Sequence, residues 1–544
     1  MPDAIEEVLR SRGPGLSSDV AAILIEEHGL LAAAARQRVS RRSPAVRSLT
    51  NLAFPRNARF LYLPEQYGSS AFWSTLVKAL YASKGSYARA LAALQQRGGI
   101  MPVDHFSIAA GAPLEQTRQL AADTIRARLV EAKLLEELDV PGVGTCVAFA
   151  RGAEYLEQPA ARMKARLITE AILLSALKSW ARELGLGSYE KFEVRDEGTR
   201  QPRVSTFEWD ITAPSYLGGL ANWAADAKPK PGFVVFDVFL GGVLTEAGLE
   251  PFIHKCLTLR SLKKVGRCIQ FFVAERYTPE ALRLARKHGV VPATPASLFG
   301  DELAAALTEL IATMTNAAQA TIDPEKFTTF FTKLGKIEGA VSRLRGALFE
   351  FVVADIVRKK FHARVKLNDI YRQNGKDVAE IDVRGVVDEQ CVYFIECKGY
   401  MPGRLVDDDE IEKWLTKRIP LVRQRALEHP EWRNLKLRFE LWTTGELSES
   451  AKARIAEAQR SIRATAYVVE VRQAKQIEQL ARETNDVSLI GVLQQHFLKS
   501  PLADVDKKSG GVDTNPMTHA LPFDANSIAL TTHTVPFLLG SSAG

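Results

Sequence analysis

The spacing of apolar residues alternates along the chain between the helical period of about 3.6 and the two-residue period of a strand. Residues 16–29, LSSDVAAILIEEHG, carry apolar positions at helical spacing, and Ser17 or Ser18 is placed to cap the first turn. AAAARQRVSRRSPAVRSL then predicts a basic helix, and ARFLYLPEQYG a strand-like hairpin. Over residues 104–150 the pattern recurs: QTRQLAADTIRARLVEAKLLEELD reads as helix and VPGVGTCVAFA as a glycine-tipped hairpin. Residues 160–300 change character. The amphipathic helix ARMKARLITEAILLSALKSWARELG precedes the strands STFEWDITAP and PGFVVFDVFLGG. The helix FIHKCLTLRSLKK, the strand RCIQFFVAE, the helix TPEALRLARKHG and the strand-like VVPATP follow. Residues 301–336 read as a helical connector.

Residues 337–485 repeat that order of elements. EGAVSRLRGALFEFVVADIVRKKFH is a helix, AEIDVRGVV and CVYFIECKGY are strands, and DDDEIEKWLTKRIPLVRQRALE is a helix. LRFELWTTG, SESAKARIAEAQRSI and ATAYVVEV then read as strand, helix and strand. Two stretches with one element order point to a diverged internal duplication. From about Ser500 the chain is rich in Ser, Gly, Asn, Thr and Pro without periodicity, which predicts a flexible tail over 500–544.

The length of 544 residues, with 46% hydrophobic and 25% charged residues, suits several globular domains. Cys146, Cys256, Cys268, Cys391 and Cys397 form no CxxC pair, which speaks against a disulfide framework or structural zinc and for a reducing, cytoplasmic setting. The N-terminus lacks the apolar core of a signal peptide, and no apolar run is long enough to span a membrane. A net charge of +7 permits nucleic-acid binding, and its distribution sharpens the point. Between His28 and Glu65 there is no acidic residue, while Arg36, Arg38, Arg41, Arg42, Arg47, Arg56 and Arg59 crowd the segment. Such a one-signed stretch suits phosphate contacts, and its order of helix, basic helix and hairpin resembles a winged helix-turn-helix. The expected organisation is therefore a basic winged-helix-like region over 1–100 and a second such unit over 101–155. An α/β domain over 160–300 and the connector over 301–336 precede a second α/β domain over 337–485.

The chemistry concentrates in residues 379–400, AEIDVRGVVDEQCVYFIECKGY. In a strand, residues two apart share a face, so Glu380 lies with Asp382 and Glu396 with Lys398. If the strands pair, Asp382 approaches Glu396 and Lys398. Adjacent buried carboxylates repel and are costly to desolvate. A divalent cation resolves the conflict: Mg²⁺ prefers oxygen ligands, polarises a phosphoryl oxygen and lowers the pKa of a bound water. Lys398 would orient or deprotonate that water or stabilise developing charge. The Cys397 backbone carbonyl is a further candidate ligand, with its side chain on the opposite face. The bland alternative is a solvated hairpin with alternating charges.

EID followed by ECK, with Glu396 fourteen residues on from Asp382, resembles the PD-(D/E)XK, or restriction-endonuclease-like, nuclease superfamily. Asp382, Glu396 and Lys398 match the D…ExK motif, VYFI supplies the apolar strand, and Glu350 in RGALFEFVV stands where a helix glutamate is expected. Ile381 replaces the nominal proline. The resemblance spans 337–485 and implies Mg²⁺- or Mn²⁺-dependent phosphodiester hydrolysis, usually of DNA. The 160–300 stretch carries the same skeleton with altered chemistry. Glu170, Asp210 and Asp237 stand for Glu350, Asp382 and Glu396, and Phe239 takes the lysine position, so a degenerate copy is expected. After the acidic DDDE at 407–410, Lys417 and Arg418 are further candidate phosphate contacts, although helix electrostatics alone would explain the arrangement. No HExxH or GxxxxGK[ST] motif occurs. The expected function is a DNA nuclease, by fold-level analogy a restriction or anti-phage defence effector. A repair or junction-resolving nuclease, a non-catalytic DNA-binding regulator and an RNA substrate stay open. A homodimer would let two sites cut both strands, and the internal duplication could instead mimic one.

Overall fold

The computed structural model describes residues 3–499 except 118, 141, 151–156, 222–228, 263–264, 317–323, 338, 374–375 and 463–466. The expected tail over 500–544 lies outside the described residues. Helices and strands are mixed throughout, and no described helix is long and apolar enough to cross a membrane.

The chain opens with helix Ala4–Arg12, strand Gly15–Leu16, helices Ser17–Glu26 and Ala32–Ser40, and strands Arg47–Ser48 and Phe60–Tyr62. The strands form an antiparallel sheet with Phe60–Tyr62 in the middle. Ser17 starts its helix rather than capping it. Its hydroxyl accepts the Arg59 N–H at 3.0 Å and ties helix to strand. Ile5, Leu9, Leu24, Ala35 and Leu61 close a small core.

After helix Ser70–Ser83 the same order runs again. It comprises helix Ser86–Gln96, strand Ile100–Pro102, helices Phe106–Ala110 and Ala122–Glu131, and the hairpin strands Leu135–Val140 and Gly144–Phe149. The sheet again places the last strand in the middle. This second pass begins at Ser86, ahead of residue 101. The stretch LLEELD, expected as helix, is strand instead. Lys133 turns left-handed with φ 56°, ends the helix, and lets Leu135–Val140 pair antiparallel with Gly144–Phe149.

Two five-stranded sheets follow, and they share one topology. In the central unit, helix Glu157–Glu183 leads to strands Glu193–Val194, Ile211–Ser215 and Gly232–Leu244, which pair antiparallel in succession. Helix Glu246–Ser261, strand Cys268–Tyr277, helix Pro279–Lys287 and strand Val291–Ala293 then add parallel neighbours. In the C-terminal unit, helix Ala340–Phe361 leads to strands Arg364–Gln373, Lys376–Val387 and Cys391–Lys398, antiparallel in succession. Strands Lys436–Thr443 and Val468–Gln473 extend that sheet in parallel after helical crossovers. Parallel strands are covered on both faces, and the apolar run VYFI is buried throughout.

One core joins the two units. Ile172 and Leu177 of the first long helix and Leu344, Leu348 and Val352 of the second belong to it. Helices Asp301–Asn316 and Pro324–Leu334, expected as a connector, supply Leu307, Leu310, Phe330 and Leu334 to the same core.

Candidate active site

Strands Lys376–Val387 and Cys391–Lys398 pair in a register that puts Asp382 opposite Glu396. The hydrogen-bonded ladder stops one step earlier, at Val383↔Ile395. Beyond it the Asp382 side chain takes the place of the ladder, and its Oδ2 accepts the Cys397 N–H at 2.7 Å. The strands therefore part where the two carboxylates face each other. Cys397 turns its side chain away into the shared core, and burial beside Asp382 and Glu350 holds its thiol well above the usual range.

The ends of this fork are fixed by backbone contacts. The Lys398 carbonyl accepts from Thr443 Oγ1 at 3.1 Å and from the Tyr400 N–H at 2.9 Å. Arg345, buried on the long helix, donates to the Tyr400 carbonyl at 2.9 Å. Gly399 lies so close to that helix that a Cβ there would stand 2.5 Å from Phe349 Cβ. This contact seats the turn carrying Glu350 against the motif strand, and Glu350, Glu380, Asp382, Glu396 and Lys398 line one cleft of about 860 Å³.

The charges in the cleft are unbalanced. Lys398 Nζ is 3.1 Å from Glu396 Oε1 and 3.4 Å from Glu410 Oε2. Arg418 pairs with the same Glu396 Oε1, while Glu396 Oε2 is buried with no hydrogen-bond partner. Burial and repulsion from Glu396 push Asp382 up to about 8. Burial, then Asp382 and Glu380, raises Glu350 well above the carboxylate range. Burial works to lower Lys398, but Glu396 and Asp382 outweigh it and hold the ammonium above its ordinary value. Burial also raises Glu380, opposed by Lys164, which reaches it from the central unit's long helix.

The corresponding positions of the central unit present a neutralised version. Asp210 Oδ2 accepts the Val238 N–H at 2.6 Å, the counterpart of Asp382 and Cys397. Arg195 spans Asp210 Oδ1 at 2.7 Å and Glu170 Oε2 at 3.0 Å. Glu170 Oε1 accepts from the Leu240 N–H at 3.2 Å, and Asp237 Oδ1 from the Asp210 N–H at 3.2 Å. Lys255 pairs with Asp237 Oδ2, donates to the Glu208 carbonyl at 2.9 Å, and sits 3.9 Å over the Trp209 ring. Every carboxylate oxygen of Glu170, Asp210 and Asp237 thus has a donor. Arg195 follows Val194, which pairs with Ile211. Asn368 follows Leu367, which pairs with Val383 in the same way. A neutral amide stands where the central unit has its bridging guanidinium.

Among the described residues no group of three or more His, Cys, Asp or Glu is arranged to hold a metal as it stands. The donor set nonetheless fits Mg²⁺ or Mn²⁺, which need few protein ligands and keep several waters. Asp382 and Glu396 offer hard oxygens, one of them buried and unpartnered, and the Cys397 carbonyl follows Glu396 directly in sequence.

The other sequence-predicted residues are dispersed. Arg36 and Arg38 are exposed on helix Ala32–Ser40, and Arg38 lies 3.2 Å from Asp3. Arg41 is exposed at that helix's end, and Arg42 donates to Ser48 Oγ at 2.9 Å. Lys417 is exposed, whereas its neighbour Arg418 turns into the cleft. Sequence reasoning missed Lys164, Arg195, Lys255 and Glu410. Only Lys255 left a signal: it shares the apolar stripe of Phe252, Cys256 and Leu259, where a lysine needs a buried partner. Comparison with family models, curated proteins and solved structures finds no match for this chain.

Proposed function

We propose that the chain is a divalent-metal-dependent nuclease that hydrolyses phosphodiester bonds in DNA, with its reacting centre in the C-terminal unit. The observation that supports it most is the fork at Asp382 and Glu396. It gathers carboxylates that repel one another, leaves Glu396 Oε2 buried and unpartnered, and sets Lys398 3.1 Å from the other oxygen. A purely structural site would look like the central unit, where Arg195 and Lys255 neutralise the same positions.

Asp382, Glu396 and the Cys397 carbonyl would hold Mg²⁺ or Mn²⁺, with Glu350 supporting from the helix. The ion supplies Lewis acidity toward a phosphoryl oxygen and an acidified water. Lys398 stays an ammonium at neutral pH, so it orients the water and stabilises developing negative charge instead of accepting a proton. The two N-terminal passes of helix, strand, helix, helix and hairpin have the order of winged helices. Arg36, Arg38, Arg41 and Arg42 would dock the nucleic-acid backbone there, with the exposed Lys417 as a further phosphate contact.

The test is incubation of the purified chain with linear, supercoiled, branched and single-stranded DNA and with RNA, under Mg²⁺, Mn²⁺ or EDTA, beside Asp382→Ala and Lys398→Ala. Metal-dependent cutting lost in both variants supports the proposal, and a preference for branched over linear duplex would direct it towards repair. Tight, salt-sensitive DNA binding with no cleavage under any metal would replace it with a regulator built on nuclease folds.

A further inference from the structure

The crossover helix that covers the site is irregular at one place. Between Asp408–Lys413 and Ile419–Glu428 the turn Trp414–Arg418 widens to π-helical geometry. Pro420 explains it. Proline has no N–H to give the Thr416 carbonyl, and its ring crowds that carbonyl, so the ladder opens by one residue. Ile411, Trp414, Ile419 and Val422 keep the helix seated on the sheet across the irregularity. The extra residue turns Arg418 towards the fork, whereas Lys417 beside it is exposed.

Arg418 donates to Glu396 Oε1, its one hydrogen bond among the described residues. Its side chain is 43% exposed. Lys255 holds the matching carboxylate in the central unit from the corresponding helix, yet it is fully buried, has carbonyl acceptors at 2.9 and 3.4 Å, and lies against an indole ring. Lys255 has no solvent route to another partner. Arg418 has one: its guanidinium can leave the buried Glu396 and be taken up by water, because its own side chain is the exposed member of the pair. Lys398 already lies 3.1 Å from the same oxygen, so Glu396 keeps a cation if Arg418 leaves.

We infer that Arg418 is an exchangeable counter-ion of Glu396, displaced when a divalent ion binds and then free to hold the phosphate of the nucleic-acid strand in the cleft. The inference rests on the nuclease reading of this site. It makes metal and Arg418 competitors for Glu396, and it makes metal and DNA cooperative through Arg418. The guanidinium is planar and bidentate, which suits a phosphate better than an ammonium would.

Ca²⁺ serves as the probe, because it lets binding be read without turnover. Ca²⁺ affinity is measured calorimetrically without DNA, and affinity for a short duplex is measured in EDTA and in Ca²⁺, for wild type, Arg418→Gln and Arg418→Lys. Arg418→Gln is expected to bind Ca²⁺ at least threefold more tightly than wild type. It is also expected to lose most of the Ca²⁺-dependent gain in DNA affinity while its affinity in EDTA stays within twofold. Arg418→Lys should keep part of that gain. Weaker or unchanged Ca²⁺ binding in Arg418→Gln, or an equal loss of DNA affinity in EDTA and in Ca²⁺, would overturn the exchange. If wild type bound no Ca²⁺, the nuclease reading itself would fall; if wild type cut DNA but Arg418→Gln kept its Ca²⁺ response, only the exchange would.

Discussion

Arg195→Met tests whether a protein cation stands in the central unit where the C-terminal unit has an unsatisfied site. Arg195 is buried and ion-paired to Glu170 at 3.0 Å, Asp210 at 2.7 Å and Asp196 at 3.6 Å. Burial alone would lower its pKa, but Asp210 and Glu170 outweigh that and raise it, so the guanidinium is charged at any working pH. Methionine fills similar volume and removes the charge. Glu170 keeps its bond from Leu240 and its ion pair with the buried Arg166 at 3.7 Å, whereas Asp210 keeps its bond from Val238 and loses its ion pair. Breaking a buried pair in this way costs about 3–5 kcal/mol. For a unit of this size, a loss of that order lowers the melting temperature by roughly 6–20 °C. Scanning calorimetry with hydrogen exchange at strands Ile211–Ser215 and Gly232–Leu244 would place the loss in the central unit. Adding Glu170→Gln and Asp210→Asn should return most of it, because the amides need no counter-charge. A second reading comes from adding Mg²⁺, which should stabilise Arg195→Met more than wild type. A loss below about 1 kcal/mol, the scale of a solvated pair, with no response to the added amides, would refute the argument.

Asp382→Asn relieves the repulsion at the fork. It should abolish cleavage while leaving the metal-free protein as stable as wild type or about 1 kcal/mol more so, read by denaturant unfolding. Asp382 also makes stability depend on pH. Its folded pKa of about 8 lies above its unfolded value, so the folded state binds the extra proton. The contribution is fully present below the ordinary carboxylate value and is lost as pH rises towards 8. Metal-free melting temperature should fall over that window, and Asp382→Asn should flatten the slope. Gly399→Ala forces a Cβ to within 2.5 Å of Phe349 and of the Arg345 carbonyl, so unfolding should show a loss of about 1–3 kcal/mol, with cleavage reduced as Glu350 shifts.

The apolar periodicity made the sheets legible because it is a local property of strands and helices. AEIDVRGVV and CVYFIECKGY pair as their alternation requires, and the buried run VYFI is where a strand covered on both faces belongs. LLEELD misled for the same reason. Its leucines and acids satisfy a helical period as well as an alternating one, and the left-handed Lys133 that decides between them leaves no trace in composition. Residues 301–336 read as helix and are helical over Asp301–Asn316 and Pro324–Leu334, but their burial against both units depends on tertiary packing that local periodicity does not carry. At the site, Asp382, Glu396 and Lys398 were legible because a strand fixes which residues share a face. Lys164, Arg195 and Glu410 were not, because each reaches its partner across the fold.

Repetition of one topology within the chain separates what the fold demands from what the chemistry demands. Both units splay their strands at the same point, and in both the first aspartate accepts the N–H of the residue after the second carboxylate, at 2.6 and 2.7 Å. That bond therefore belongs to the architecture. What differs is confined to charge. Arg195 becomes Asn368, the locked Lys255 becomes the half-exposed Arg418, and Phe239 becomes Lys398. The first change leaves the C-terminal carboxylates less fully compensated, the second hands them a half-exposed cation, and the third sets an ammonium in the cleft beside Glu396. A fold can keep such a cluster only if its surroundings supply the missing stability, and here the core shared with the neutralised central unit lies directly behind the fork. If the proposed reacting centre leans on the central unit in this way, Arg195→Met should lower turnover at temperatures below its own melting onset although Arg195 lies 187 residues before Asp382 (382 − 195), measured beside an Arg195→Lys variant that restores the charge.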